Sequence, residues 1–233
     1  MTPQDVGEET VDPSRIEIGS TTVGAVMADL ARHRSVFHSE ADLQFSFAQT
    51  VERLSYGRVR CRLEAPIRDP ESGRTTYLDL LCLAESGDVG IEFKYFTRSW
   101  TGSAQGETYS LRNHAASDLA RLYFVSDVSR LEALTAARSC QGVALMMSNE
   151  PRLWQPPGPR ARARNDRAFG IHEGASLSGE LRWGNGYAAN TRTLRGRYDA
   201  VWRDFSAPDP GVPGGTLRWL ALAVGPAAGG TAT

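Results

Sequence analysis

Lysine is almost absent from this chain of 233 residues. Lysine and arginine together number 26, and the single lysine is Lys94, inside the segment VGIEFKYFTR at 89–98. Aspartate and glutamate number 27, so the formal net charge is -1 and no global positive field attracts a polyanion. Any binding of nucleic acid must therefore come from local clusters of arginine. The scarcity of lysine also raises the question of why one remains within a largely apolar segment.

Cysteines and long apolar runs are scarce as well. The three cysteines, Cys61, Cys82 and Cys140, are far apart and have neither metal-ligand spacing nor the pattern of a disulfide framework. No apolar run approaches the length that spans a bilayer, and residues 1–19 are polar, without the apolar segment of a signal peptide. These absences predict a cytoplasmic protein that does not associate with membranes.

Helical and strand patterns alternate along the chain. Apolar residues recur at helical spacing in some segments and alternate with charged residues in others. The predicted elements, in order, are helices over 21–34 and 39–55, strands over 58–67, 76–84 and 89–96, a loop over 97–110, a helix over 112–138 with a division near Ser126 as an alternative, and a strand over 142–150. The second helix is the stronger one, because Ser39 is a good N-cap.

This order predicts an α/β fold in which a mixed sheet is flanked by helices. Residues 1–20 are polar and predict a loose leader, and residues 21–150 predict the α/β core. Residues 151–233 contain short strand patterns separated by glycines. Because that segment is short for a stable independent domain, we expect a β-rich C-terminal extension packed on the core.

The strand over 89–96 predicts a charged face. Side chains alternate between the two faces of a strand, so Glu92 and Lys94 project together, while the opposite face, which can turn to the core, carries Val89, Ile91, Phe93 and Tyr95. Asp79 interrupts an otherwise apolar strand pattern, and a carboxylate there is costly unless it is paired or bound to a cation. Glu40 lies in the middle of the apolar stripe of the second helix and therefore points toward whatever that helix packs on.

Three acids and one lysine at the same end of a small sheet have the composition of a magnesium site. Carboxylate and carbonyl oxygens suit Mg²⁺, which keeps several waters and accepts phosphate oxygens. Such an ion lowers the pKa of a bound water. A lysine, with rotatable donors on a compact charge, suits the handling of that water better than a planar guanidinium.

The order of these residues resembles the PD-(D/E)xK nuclease superfamily with its restriction-endonuclease-like core. The likeness covers roughly residues 35–150 and rests on Glu40 in a helix, Asp79 in a strand and E-F-K at 92–94 in the next strand. Many members have proline before the first acid, where this chain has Leu78. The C-terminal extension is not part of the shared core.

The resemblance implies a function and a role for each matching residue. Asp79 and Glu92 would bind the metal with the backbone carbonyl of Phe93, Glu40 would lie near a first or second metal, and Lys94 would serve the attacking water. The implied cofactor is Mg²⁺, with Mn²⁺ as a substitute. The implied activity is that of an endonuclease that hydrolyses nucleic acid, with DNA as the favoured substrate.

Other interpretations stay open. Glu92 and Lys94 would be an exposed strand pair of little energetic value if the site does not form. The chain could also keep a nuclease fold without turnover and serve as a nucleic-acid-binding or assembly module. The chain could further act as a homo-oligomer or within a larger defence or repair assembly.

Several residues outside this motif are candidates for contact with nucleic acid. One group lies on the helix predicted over 112–138, and the other in an arginine-rich connection that could follow a phosphate backbone. The alternatives are pairing on a helix surface and a solvated loop. The candidates are His114, Asp118, Arg121, Arg160, Arg162 and Arg164.

Overall fold

Helices and strands alternate in the computed structural model, which describes residues 12–68, 73–138, 140–158, 164–184 and 187–225. The helices are α1 (Val23–His33), α2 (Glu40–Leu54), α3 (Ser117–Arg138) and α4 (Pro151–Trp154). The strands are β1 (Glu17–Ile18), β2 (Thr21–Thr22), β3 (Arg60–Arg68), β4 (Thr75–Leu83), β5 (Val89–Phe96), β6 (Trp100–Ala104), β7 (Glu107–Leu111), β8 (Gln141–Ser148), β9 (Ser176–Leu181), β10 (Arg192–Asp199), β11 (Trp202–Ser206) and β12 (Leu217–Val224). No helix in these ranges is long and apolar enough to cross a membrane.

Six strands form one mixed sheet in the order β11-β12-β8-β5-β4-β3. β5 and β8 are parallel, and α3 lies between them in the chain, while the other neighbouring pairs are antiparallel. A parallel pair needs such a crossover, because two parallel strands cannot be joined by a tight turn. The predicted α/β fold with a mixed sheet and flanking helices is confirmed at this level.

The sheet has a hydrophobic cluster on each face. In β8, Val143, Leu145 and Met147 pack with residues of α1 and α2, whereas Ala144 and Met146 pack with residues of α3 and of the C-terminal segment. Because side chains alternate along a strand, these two sets face opposite sides of the sheet. β8 is therefore buried on both faces of the sheet.

The described segments nearest the two ends of the chain are more integrated than the sequence suggested, while residues 1–11 of the expected leader lie outside the described residues. β11 and β12 join the main sheet, so part of the extension completes the core, while the β9–β10 hairpin packs against α3. The expectation of a loose leader is wrong for residues 12–20, because Ile16 and Ile18 are buried in the core. β1 and β2 have only two residues each, so their β-branched residues did not reveal a strand within a segment of mainly polar composition.

The segment expected to be a loop over 97–110 contains the β6–β7 hairpin instead. Trp100 and Tyr109 are buried there, and Gln105 at the turn adopts a positive φ of 52°. Two buried aromatic residues explain why a segment rich in glycine and serine is ordered. The following helix begins at Ser117 rather than Arg112 and continues past Ser126 as one element.

A buried acid ties α1 to α2, the helix that carries Glu40. The Asp29 carboxylate contacts Arg53 of α2 and lies 2.9 Å from Nη2 of Arg32. Burial disfavours its charge, but Arg53, His33 and Arg32 outweigh burial and lower the pKa of Asp29. The ion pairs therefore favour the folded state when Asp29 is ionised.

We expect Asp29→Asn to lower the free energy of unfolding by about 1–2 kcal/mol at pH 7, since hydrogen bonds to a charged acceptor are lost. A lowered pKa stabilises the fold above the ordinary value of 3.8, and this stabilisation is lost as the pH falls through the folded-state pKa. The difference between wild type and variant should therefore shrink in acid, as measured by urea unfolding at pH 7 and below pH 4. A difference that grows in acid would contradict this account.

Candidate active site

The site lies where β4 and β5 separate. Their ladder has only three residue pairs and ends at Leu80 opposite Ile91. Beyond that point the amide of Phe93 donates to Oδ2 of Asp79 at 2.7 Å, so a side chain replaces the missing backbone partner. Polar side chains can enter the sheet at this opening.

Asp79 lies at an interruption of the β3–β4 ladder. Leu63 pairs with Leu80 and Ala65 with Leu78, but the intervening pair, Glu64 with Asp79, is missing, and Glu64 has a positive φ of 48°. As a result, Leu78 and Leu80 belong to clusters on opposite faces of the sheet, although they are two residues apart. The interruption leaves the Asp79 side chain free to reach toward β5.

Glu92 faces α3 and is almost fully buried, with 1% of its surface exposed. Burial raises the pKa of Glu92 to about 9, even though Arg130 opposes the shift. Oε2 contacts Nη2 of Arg130, whose Nη1 donates to the carbonyl oxygen of Tyr77 at 3.3 Å. Arg130 therefore spans the opening from β4 to β5.

Glu40 reaches the same region from the other side of the sheet. It is the first residue of α2, after Ser39, which caps the helix as predicted by accepting from the amide of Asp42. Oε2 of Glu40 accepts from the amide of Tyr95 at 2.7 Å, two residues beyond the amide that Asp79 binds. Burial raises the pKa of Glu40, and Lys94 opposes the shift.

Lys94 occupies the centre of this group of acids. Its Nζ lies 2.8 Å from Oδ2 of Asp127 and donates to the carbonyl oxygen of Phe93 at 2.9 Å. Burial disfavours the ammonium, but Asp127 and Glu40 outweigh burial and raise the pKa of Lys94. Lys94 is therefore charged at neutral pH, and it already engages the carbonyl that was expected to be a metal ligand.

Two members of the cluster, Asp127 and Arg130 of α3, were missed by sequence reasoning. The Asp127 side chain is 13% exposed, and burial raises its pKa despite Lys94. A signal for Asp127 was present: it lies three residues after Phe124 and four before Leu131, both buried, so it is on the apolar stripe of the helix. Arg130 had no comparable signal, because arginine is common throughout the chain.

The carboxylates around the opening supply the kind of oxygen ligand that a hard divalent cation prefers. Among the described residues, Glu40, Asp79, Glu92 and Asp127 interact with the cations Lys94 and Arg130, and these six groups together have excess negative charge when all are ionised. Oε1 of Glu92 is buried without a hydrogen-bond partner among the described residues. Within those residues, however, no three His, Cys, Asp or Glu side chains form a group that could hold a metal as they stand. Arg130 provides the positive charge at Glu92.

The outer candidates that the structure describes are not part of this cluster. Arg121 is buried, with Nη1 2.6 Å from Oδ2 of Asp166, so the expectation that it meets a phosphate is corrected: it joins α3 to the C-terminal segment. His114 precedes α3 rather than lying on it, while Asp118 in its first turn and Arg164 are exposed. Arg160 and Arg162 lie outside the described residues.

No protein-family model matches the chain, no curated protein matches its sequence, and no solved structure matches its fold. The interpretation of the site therefore rests on its own geometry and charge.

Proposed function

We propose that this chain is a metal-dependent phosphodiesterase that hydrolyses nucleic acid, with a core like that of the PD-(D/E)xK nucleases. The observation that carries the proposal is the meeting of Asp79, Glu92 and Lys94 at the point where β4 and β5 separate. The mixed sheet supports the proposal, because Asp79 on β4 and the pair Glu92 and Lys94 on β5 come from adjacent strands. The parallel pairing of β5 with β8, which α3 separates in the chain, supports it as well.

Asp79, Glu92 and Glu40 would hold the metal. Mg²⁺ bound there would lower the pKa of a water and offset the charge of the phosphate. The protein's own contribution is positioning: Asp127 holds the Lys94 ammonium at 2.8 Å, and the hydrogen bond to Phe93 fixes it beside the carboxylates. Lys94 would thereby orient the water and bind the developing negative charge, while Arg130 would release Glu92 to the metal.

The test is an incubation of the purified protein with single-stranded and duplex DNA and RNA in Mg²⁺, Mn²⁺ or EDTA. We expect cleavage with either metal and none in EDTA. Asp79→Asn should lose cleavage, because an amide is a poorer ligand for a hard cation. Asp88→Asn is the matched control, since Asp88 is exposed at the other end of β5. Cleavage that persists in EDTA, or in Asp79→Asn, would overturn the proposal.

The ion pairs favour a second candidate, a nucleic-acid-binding or assembly module that keeps this fold without turnover. Arg130 already contacts Glu92, and Asp127 already holds Lys94, so the site is partly neutralised from within. The same incubations separate the two: binding of DNA or RNA without metal-dependent cutting would favour the module.

A further inference from the structure

A cavity of about 300 Å³ opens beside Lys94, between the end of β5 and the start of α3. Its volume is at the lower end of the range for small-molecule pockets. The lining is mainly apolar and includes Lys94, Phe96, His114, Leu119, Tyr123 and Met146. One wall therefore belongs to the proposed catalytic site, and the rest is free of the ion pairs that fill that site.

The rim of the cavity carries aromatic surface that is open to solvent. Tyr123 is 54% exposed and Leu119 is 36% exposed, although both lie on α3, whose other face is buried. The rings of Phe96 and His114 lie 5.3 Å apart with an angle of 37° between their planes. Flat, accessible rings of this kind provide stacking surfaces for nucleobases.

His114 is fixed as a hydrogen-bond donor in this wall. Its Nδ1 accepts from the amide of Thr97 at 3.0 Å, so the neutral imidazole carries its proton on Nε2. The backbone amide of His114 in turn donates to the carbonyl oxygen of Thr97 at 2.7 Å. The cavity thus combines an apolar interior with an oriented donor and the Lys94 ammonium, as suits a flat heterocycle joined to an anionic phosphate.

We propose that this cavity binds the base of the nucleotide next to the scissile phosphate, so that the substrate is single-stranded or locally unpaired nucleic acid. The inference rests on the proposed function, because Lys94 links the cavity to the reacting phosphate. A base paired within a duplex must first be unstacked before it can enter such a pocket, and that step costs free energy. An unpaired base enters without this cost and gains the stacking on Tyr123 and Phe96.

The first experiment compares cleavage of one sequence as a single strand and as a duplex, by wild type, Tyr123→Ala and Tyr187→Ala. Stacking of one base on one aromatic side chain changes binding by about tenfold, so Tyr123→Ala should lower single-strand cleavage at subsaturating substrate by about that factor. Tyr187 is also largely exposed but does not line the cavity, so its variant should behave like wild type. Faster cleavage of the duplex, or wild-type single-strand cleavage by Tyr123→Ala, would overturn the inference.

The second experiment does not require turnover. Single-stranded oligonucleotides with 2-aminopurine are titrated in EDTA, where metal-dependent cutting cannot occur, with the same three proteins. We expect the fluorescence of the base to be quenched by wild type and Tyr187→Ala and to be quenched much less by Tyr123→Ala. Quenching without any cleavage in the first experiment would support the base pocket and reject the proposed hydrolysis. Cleavage without quenching would retain the hydrolysis and reject the pocket.

Discussion

Lys94→Ala is expected to lower metal-dependent cleavage by about 10²–10⁴-fold, the usual contribution of a positioned acid–base group. The ammonium lies 2.8 Å from Asp127, and burial together with these contacts leaves it little freedom. Without it, the attacking water would lose its positioned partner and the acids would lose a compensating charge. Single-turnover cleavage at saturating protein measures the effect on the chemical step alone.

Lys94→Arg distinguishes the positive charge of Lys94 from its role toward the attacking water. Arginine keeps the positive charge and the opportunity to pair with Asp127, but its planar guanidinium is bulkier and does not release its proton. We expect Lys94→Arg to recover the thermal stability of the wild type without recovering cleavage. Cleavage by Lys94→Ala at the wild-type rate would remove Lys94 from the mechanism, and full activity of Lys94→Arg would reduce its role to that of a positive charge.

Glu132→Ala is expected to lower the free energy of unfolding by about 3–5 kcal/mol, because it removes a buried charged acceptor and leaves its donors unpaired. Glu132 of α3 is 6% exposed. Its carboxylate accepts from the amides of Arg195 and Gly196 and from the hydroxyl of Tyr198, at 2.7–2.9 Å. The two amides lie at the bulge in β10, so the Glu132 side chain bonds the β9–β10 hairpin to α3 at that point.

Urea unfolding at neutral pH measures this loss. Glu180→Ala is the control, since Glu180 lies in the same hairpin but is exposed and bonds only Arg182 among the described residues; no change in the midpoint is expected. Tyr198→Phe, which removes one of the four hydrogen bonds, should produce a smaller loss than Glu132→Ala. Equal stability of Glu132→Ala and wild type would show that these four hydrogen bonds do not hold the hairpin on α3.

Local sequence patterns were sufficient for the elements that carry the acids. Alternation along β5 predicted that Glu92 and Lys94 share a face, and Glu92 is indeed buried toward α3 with Lys94 beside it. The apolar stripe of α2 predicted that Glu40 points inward, and its carboxylate binds the amide of Tyr95. Both predictions succeeded because the periods of a strand and of a helix are properties of the local backbone.

Partners that are distant in sequence could not be predicted in this way. Arg121 was expected on the surface, yet Asp166, 45 positions later, makes it a buried ion pair. The β6–β7 hairpin was missed because the burial of Trp100 and Tyr109 depends on packing and not on the composition of their segment. The order of β11 and β12 beside β8 depends on the same kind of long-range contact.

Local patterns alone identify the residues that are able to carry chemistry: a lone lysine two positions after an acid, one acid within an apolar strand, and one acid on an apolar helix face. Which charges these residues meet depends on how the separate elements pack together. Asp127 and Arg130 come from a helix some thirty residues further along the chain, and they pair with Lys94 and Glu92 because β4 and β5 separate beneath them. The energy of two charges depends on the distance between them. The spacing of apolar residues within one helix or strand does not specify how far its charges lie from those of another element.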